Sequence, residues 1–195
     1  MAALARRHAH RGGQLSRDAS CGYALFDTAI GRCAIAWNEA GIARLALPEA
    51  SEAETRARVS RGQPPFAETE PPPAIDAAVR RITALLEGAK DDLRDLPLDL
   101  RGVPGFNRRV YERTRAIPPG QTLGYGELAA AIGMPRAAQA VGQALGANPF
   151  PVVVPCHRVL AADGSLHGFS AHGGVTTKRR MLVIEGALAQ TELAF

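Results

Sequence analysis

The sequence predicts an α/β chain in two parts, a small sheet-containing unit followed by a mostly helical unit. Three observations lead to this prediction. Short runs rich in β-branched and aromatic residues occupy positions 21–47, an amphipathic helical repeat follows at 75–86, and helical segments separated by Pro and Gly dominate after residue 104. We expect residues 1–19 to be a flexible leader, 20–100 a first domain and 101–195 a second domain.

The first domain should open with a β-hairpin. Tyr23–Thr28 and Arg32–Trp37 flank a turn at Ile30-Gly31, and Ile42–Leu47 can add a third strand to the sheet. The other expected elements are a charged helix at Glu52–Ser60, a Pro-rich loop at 62–73, a helix at Ile75–Leu86 and a strand at Leu96–Leu100. Because these residues suggest no chemistry, we assign the domain a scaffolding role.

The second domain has the layout of a helix-turn-helix DNA-binding protein. A helix is expected at Phe106–Ile117, a short one at Tyr125–Ile132 and a third from Pro135 to about Leu145. The third helix carries mainly Ala and Gly, so it is thin enough to pack closely or to enter a narrow groove. A turn at 162–164 resembles a wing, and a last helix is expected at 175–186.

Composition excludes several classes of protein. A hydrophobic fraction of 46% supports a packed core. No run approaches the roughly 18–20 apolar residues of a membrane span, and no apolar segment follows the basic N-terminus as in a signal peptide. We therefore expect a cytoplasmic protein without a membrane partner.

The charge is unevenly distributed along the chain. Residues 1–100 carry 13 basic and 14 acidic side chains, whereas residues 101–195 carry 10 and 5. A basic second half favours contact with a polyanion, although a solvated basic face without any partner explains the charge equally well.

The three cysteines, Cys21, Cys33 and Cys156, argue against a disulfide framework because their number is odd and their spacing wide. The sequence contains no CxxC pair to close a metal site. We expect a reducing compartment, no bound metal and no cofactor.

Cys156 is the candidate nucleophile. Val152–Val154 predicts a buried strand that delivers Pro155–Val159, so that Cys156 and His157 would lie on an extended chain. A thiol attacks carbon as its thiolate, and the imidazole of His157 can take the proton directly or through a water. Glu185 is the best candidate to orient that imidazole, and we expect His157 and Glu185 together to lower the pKa of the Cys156 thiol. For a lone Cys-His pair, a structural cysteine beside a surface histidine would be the better interpretation.

The segment Asn148–Val159, NPFPVVVPCHRV, resembles the active-site motif of the O6-alkylguanine-DNA alkyltransferases, also called methylated-DNA–protein-cysteine methyltransferases. The segments Gly124–Ala129, Ala137–Gly142 and Gly173–Gly186 follow in the family's order. The resemblance is strong over about residues 104–187 and looser over 21–100. It implies a small ribonuclease-H-like N-terminal domain followed by a winged helix-turn-helix domain.

The resemblance also implies catalytic roles. Cys156 would accept the alkyl group, His157 would act as a base through water, and Glu185 would orient His157. Asn148 would brace the turn before the active-site cysteine. Tyr125 would crowd the phosphate of the target nucleotide and donate a proton to the departing guanine.

Substrate contacts follow from the same resemblance. Pro151, Val159, Phe169 and Ser170 would form the walls of the base pocket, and Lys178 would support the loop that carries Phe169. Nothing in such a site can cleave a thioether, so each molecule should act once.

The implied partner is double-stranded DNA containing an O6-alkylated guanine, with O4-alkylthymine as a further candidate. A monomer would place its third helix in the minor groove and flip the base out of the duplex. The DNA contacts would come from Asn107, Tyr125, Arg136 and Gln139. Family members usually carry an Arg at the position of Gln139, so this chain departs from the family where the flipped base leaves a gap.

Three alternatives to an alkyltransferase stay open at this point. A lesion-binding relative without repair activity would lack the cysteine, whereas this chain has Cys156. A helix-turn-helix regulator would leave the PCHRV motif and Glu185 unexplained. A cysteine hydrolase would be expected to place a glycine-rich elbow around Cys156, and none is present.

Overall fold

The computed structural model describes residues 21–61, 65–166 and 168–189. The expected leader at 1–19 lies outside these ranges. The chain is mixed α/β, with a small sheet in its N-terminal unit and helices in its C-terminal unit, as the sequence predicts. Among the helices of the described ranges, none is both long and apolar enough to cross a membrane.

The N-terminal unit is built on an antiparallel sheet of three strands in the order β1-β2-β3. Its strands are β1 (Gly22–Thr28), β2 (Gly31–Asn38) and β3 (Gly41–Ala46). The hairpin turns at Gly31 with a φ of 120°, a backbone conformation that favours glycine.

Both faces of this sheet are covered by helices. The helix α2 (Pro73–Leu86) repeats apolar residues at helical spacing and joins the main core with Ile35 and Trp37 of β2. The helix α1 (Glu52–Val59) covers the opposite face, where Ala34 and Ala36 meet Val59. Alternate residues of β2 therefore enter different cores, as the two-residue period of a strand requires.

The C-terminal unit consists mainly of helices. It contains α3 (Gly105–Arg115), α4 (Tyr125–Ala131), α5 (Ala138–Gly146) and α6 (Gly174–Ile184), and a short parallel pair formed by β4 (Leu123–Gly124) and β5 (Val159–Leu160). The helix α4 begins where the Glu127 carboxylate accepts the Gly124 amide at 2.6 Å. The pair α4-turn-α5 is the predicted helix-turn-helix.

The two units share one apolar core and are joined by backbone hydrogen bonds. The amide of Leu45 on β3 donates to the Pro149 carbonyl at 2.8 Å. Arg115 at the end of α3 donates to three carbonyls of the N-terminal unit, those of Leu93, Arg94 and Leu96, at 3.1, 2.8 and 2.8 Å. The sheet edge therefore lies directly against the segment that leads to Cys156.

Three predicted elements differ from the structure. The apolar run at 152–154 is buried but forms a turn, with Val152 at a φ of 74° that a β-branched residue rarely adopts. The segment 96–100 contributes only a single bridge, Ile42 to Leu98. The helix α5 begins at Ala138, because Pro135 and Arg136 belong to the preceding turn.

Candidate active site

Cys156 begins a 3-10 turn, Cys156–Arg158, that leads into β5. The prediction that Cys156 and His157 lie on an extended chain was therefore wrong. The preceding loop closes on itself, since the Val154 amide donates to the Phe150 carbonyl at 2.7 Å. The turn that results carries Cys156 to the surface of the core and buries His157 behind it.

Asn148 connects both ends of this loop. Its Nδ2 donates to the Val154 carbonyl at 2.9 Å, and its Oδ1 accepts the Phe150 amide at 2.9 Å. The same Val154 carbonyl accepts the amide of Cys156 at 2.8 Å. Asn148 thus fixes the carbonyl that holds the backbone of the candidate nucleophile.

His157 is fully buried, and its Nε2 lies 2.9 Å from Oε1 of Glu185. Burial lowers the pKa of His157 despite this carboxylate, so the imidazole is neutral near pH 7. An ionised carboxylate only accepts hydrogen bonds, which places the single ring proton on Nε2. The remaining nitrogen, Nδ1, is buried and has no hydrogen-bond partner among the described residues, so it is available as a base.

Arg158 holds the other side of the same carboxylate. Its Nε donates to Oε2 of Glu185 at 2.8 Å and its Nη2 to Oε1 at 2.7 Å, while Nη1 donates to the Ile117 carbonyl at 2.6 Å. Burial alone would raise the pKa of Glu185, but the hydrogen bonds from His157 and Arg158 outweigh it and hold that pKa at about 2.

Arg158 had no predicted role. The available signal was its position between His157 and a strand of buried apolar residues, where an arginine needs a carboxylate. Glu185 directly follows the end of α6, and its one carboxylate binds both residues that follow Cys156 in the turn, His157 and Arg158.

The thiol of Cys156 is not held as a thiolate at rest. Burial raises its pKa, and a hydrogen bond from Asn148 and the charge of Lys178 oppose that shift without cancelling it. We expected His157 and Glu185 to lower the pKa of this thiol, and the structure indicates the opposite direction. The proton must therefore leave Cys156 during the attack on carbon.

Cys156 opens onto a groove of about 900 Å³ between α4, α5 and the loop before α6. Tyr125 and Gln139 line one side of this groove, and Phe169 and Ser170 line the other. The structure therefore brings five of the predicted site residues to one space. Burial and the nearby thiol raise the pKa of Tyr125, so its hydroxyl keeps its proton near neutral pH.

Lys178 and Val159 lie beneath the groove. Lys178 is buried, and its Nζ donates to the Val159 carbonyl at 2.7 Å and lies 5.9 Å from the centre of the Tyr125 ring. Val159 is fully buried in β5, so its side chain belongs to the core. Pro151 lines a smaller hollow on the other side of Cys156.

The remaining candidates for DNA contact differ in exposure. Arg136 and Gln139 are exposed before and within the first turn of α5. Asn107 is half-buried in α3. In the ranges that the structure describes, no cluster of three His, Cys, Asp or Glu side chains is placed to hold a metal ion.

Two family models match the two units of the chain. The description "6-O-methylguanine DNA methyltransferase, ribonuclease-like domain" matches residues 22–100, and "6-O-methylguanine DNA methyltransferase, DNA binding domain" matches residues 105–187. Together they cover the sheet unit and the helical unit that holds Cys156.

Individual relatives agree with these matches. The chain is 43% identical to the methylated-DNA–protein-cysteine methyltransferase of Mycobacterium bovis over 125 residues, 64% of this chain and 73% of that protein. It is 37% identical to the bifunctional transcriptional activator/DNA repair enzyme Ada of Escherichia coli over 82% of this chain. That alignment covers 44% of Ada, so the chain spans less than half the length of this relative.

A solved structure supports the same assignment. The Mycobacterium tuberculosis protein OGT, crystallised in complex with DNA, superposes with a TM-score of 0.67 at 35% identity, covering 85% of this chain and 93% of that one. Sequence, fold and the surroundings of Cys156 therefore agree, and the chain belongs to the 6-O-methylguanine DNA methyltransferase family.

Proposed function

We propose that the chain repairs DNA by transferring a methyl or other alkyl group from O6 of guanine to the sulfur of Cys156. The observation that carries this proposal is the placement of Cys156 between an open groove and the buried His157–Glu185–Arg158 network. Relatives of similar length that are named methylated-DNA–protein-cysteine methyltransferases support it.

The chemistry follows from the protonation states in the site. The neutral imidazole takes the thiol proton of Cys156 at Nδ1, through one water, and the charged imidazole is stabilised by Glu185. The sulfur then forms a bond to the alkyl carbon as the bond from that carbon to O6 breaks. The released electron pair goes to the guanine, which leaves as a neutral base after accepting a proton. We propose Tyr125 as the proton donor, because it lines the same groove and keeps its proton near neutral pH.

The substrate must be extruded from the duplex because O6 lies within the base stack. We propose that α5 enters the minor groove of double-stranded DNA and that the flipped base occupies the groove at Cys156. Arg136, Gln139 and the half-buried Asn107 are the proposed DNA contacts. We further propose that the protein acts as a cytoplasmic monomer.

The reaction should modify each chain once. Incubation with excess duplex containing O6-methylguanine is expected to add one methyl group per protein, on Cys156, because the thioether product has no neighbouring group to cleave it. Intact-mass measurement followed by peptide mapping gives both the number and the position of the added groups.

Cys156→Ser is the control variant, and it should bind the same duplex without gaining mass. Continued turnover in excess substrate, or a label on Cys21 or Cys33, would contradict the proposal. A wild-type protein that binds the lesion and gains no mass would instead be a lesion-binding protein without repair activity. Gln139 leaves this alternative open, because it replaces the Arg that family members usually carry.

Gln139 is expected to limit the repair of duplex DNA. A flipped base leaves a gap in the stack, and Gln at this exposed position offers neutral hydrogen bonds where Arg can stack and attract phosphates. Gln139→Arg should therefore speed repair of duplex substrate by on the order of 1 kcal/mol in the barrier. Second-order rate constants are to be measured for the duplex and for a free O6-alkylguanine base, which needs no flipping.

Gln143→Arg provides a matched control, because Gln143 is exposed on the same helix and lines the same groove. It adds the same charge one turn further along α5, so it should not reproduce the acceleration. If Gln139→Arg accelerates the duplex and the free base equally, Gln139 acts on the pocket and not on base extrusion.

A further inference from the structure

A narrow hollow of about 20 Å³ lies beside Cys156, on the side that faces the N-terminal unit. This volume has room for one water-sized group. Three residues of the N-terminal unit form one wall of the hollow: Leu47 after β3, Glu49 before α1 and Arg58 in the last turn of α1. The domain to which the sequence gave only a scaffolding role therefore reaches the candidate nucleophile.

The hollow and the groove meet at the sulfur. Four residues line both spaces: Leu145, Cys156, Phe169 and Ser170. The hollow is completed by Asn148, Pro151 and Ala171. A group that is attached to the reacting carbon can therefore pass from the groove into the hollow without crossing the core.

An ion pair between Glu49 and Arg58 forms the solvent-facing part of the wall from the N-terminal unit. Nη1 of Arg58 lies 2.9 Å from Oε1 of Glu49, and the Arg58 side chain is 38% exposed. Arg58 is thus the outer layer at this point, with solvent behind it. Leu47, which is 4% exposed, belongs to the core instead.

The wall is held at a fixed distance from the site. The hydrogen bond from the Leu45 amide to the Pro149 carbonyl joins β3 to the active-site loop, between Leu47 on one side and Pro151 on the other. This hydrogen bond ties the backbone of β3 to that of the active-site loop, so enlargement of the hollow towards the N-terminal unit must come from the side chains of the wall.

The geometry of the transfer explains why this wall matters. Displacement at carbon places the sulfur, the carbon and O6 in one line, so a further substituent on the carbon projects sideways from that line. The guanine occupies the groove, which leaves the hollow for the substituent. A methyl group has no such substituent and needs only the space at the sulfur.

We propose that the Glu49–Arg58 pair of the N-terminal unit sets the upper size of the alkyl group that Cys156 accepts. This inference rests on the proposed transfer function. Methyl groups react without disturbing the pair, whereas benzyl groups react only when Arg58 moves outward.

The test compares two duplexes of the same sequence, one with a single O6-methylguanine and one with a single O6-benzylguanine. For each full-length variant, the ratio of the benzyl to the methyl rate constant is measured, because that ratio cancels changes in DNA affinity. Arg58→Ala is expected to raise the ratio about tenfold, the discrimination that roughly one methylene of space provides. Glu49→Ala, which frees Arg58, should raise it in the same direction.

Arg56→Ala is the matched control. Arg56 lies on the same helix, pairs with Glu52 and Glu68 and does not line the hollow, so the ratio should stay at the wild-type value. Thermal melting shows which variants are folded.

Two results would overturn the proposal. One is a wild-type protein that transfers benzyl as fast as methyl, a measurement that needs no variant. The other is an unchanged ratio in whichever of Arg58→Ala and Glu49→Ala is folded. Absence of any transfer by the wild type would instead remove the proposed function itself, so the two failures are distinguishable.

Discussion

Glu185→Gln is expected to destabilise the protein by about 3–5 kcal/mol and to slow alkyl transfer by about 100-fold or more. Arg158 donates to both oxygens of the buried carboxylate, and His157 shares one of them. A glutamine has only one acceptor oxygen, so its NH2 group must face another donor, on Arg158 or His157. Urea unfolding gives the stability, and rapid-quench assays with methylated duplex give the rate.

The dependence of stability on pH provides an independent check on the Glu185 carboxylate. Its pKa is held at about 2 in the folded protein, whereas the ordinary value is 4.5. A depressed pKa stabilises the fold above the unfolded value, so the stability difference between wild type and Glu185→Gln should be complete above pH 4.5. It should shrink as the pH falls from 4.5 towards 2.

A second substitution separates the effect of Glu185→Gln on stability from its effect on the transfer rate. Arg158→Met in the Glu185→Gln background removes the unpaired buried charge, so part of the lost stability should return. Transfer should stay slow, because His157 still lacks its carboxylate. Asp99→Asn is the control, because it breaks a similar arginine–carboxylate pair away from the site. Both carboxylate oxygens of Asp99 accept hydrogen bonds from Arg101. A normal transfer rate in Glu185→Gln would show that Glu185 is structural only.

Much of the fold follows from local sequence signals. Runs of aromatic and β-branched residues on either side of the Ile30-Gly31 turn identified the β1-β2 hairpin, and the helical spacing of Ile75–Leu86 identified α2. These signals come from residue types and spacing within a single element, so they can be recognised without knowing what packs against it.

The conformation of the active-site loop could not be predicted from such signals. Val152–Val154 is as β-branched as any strand, yet its backbone turns because Asn148, Phe150 and Val154 satisfy one another's polar groups. The deciding contacts are specific polar contacts between residues two to six positions apart, and β-propensity does not report them. The roles of Arg158 and Arg58 were missed because their partners, Glu185 and Glu49, lie on other segments of the chain.

The candidate site was therefore predicted by its chemistry more than by its geometry. The Cys-His pair and one distant acid identified the reacting groups. The resemblance to the family added Asn148, Tyr125 and Lys178. The direction of the Cys156 pKa shift was wrong because it depends on how deeply the thiol is packed, which no motif specifies.

Asn148→Ala is expected to reduce alkyl transfer about 100-fold, the usual penalty for displacing a reacting group by about 1 Å. Without its side chain, the Phe150 amide loses its partner and the Val154 carbonyl keeps only the Cys156 amide. The loop that holds Val152 at a positive φ then has fewer contacts to maintain that strained conformation. Rate constants with methylated duplex are to be compared with thermal stability, for which we expect a loss of about 1–3 kcal/mol.

Asn38→Ala is the matched control for this variant. Asn38 also accepts the amide two residues later, at 2.9 Å from Ala40, and donates through Nδ2 to Asp99 at 2.6 Å, but it lies in the N-terminal sheet and lines neither the groove nor the hollow at Cys156. Its loss should lower stability to a similar extent and leave transfer unchanged. Asn148→Asp should be slower than Asn148→Ala, because a negative charge beside Cys156 raises the pKa of a thiol that burial has already raised. Equal rates for Asn148→Ala and Asn38→Ala would mean that the loop holds Cys156 in place without Asn148.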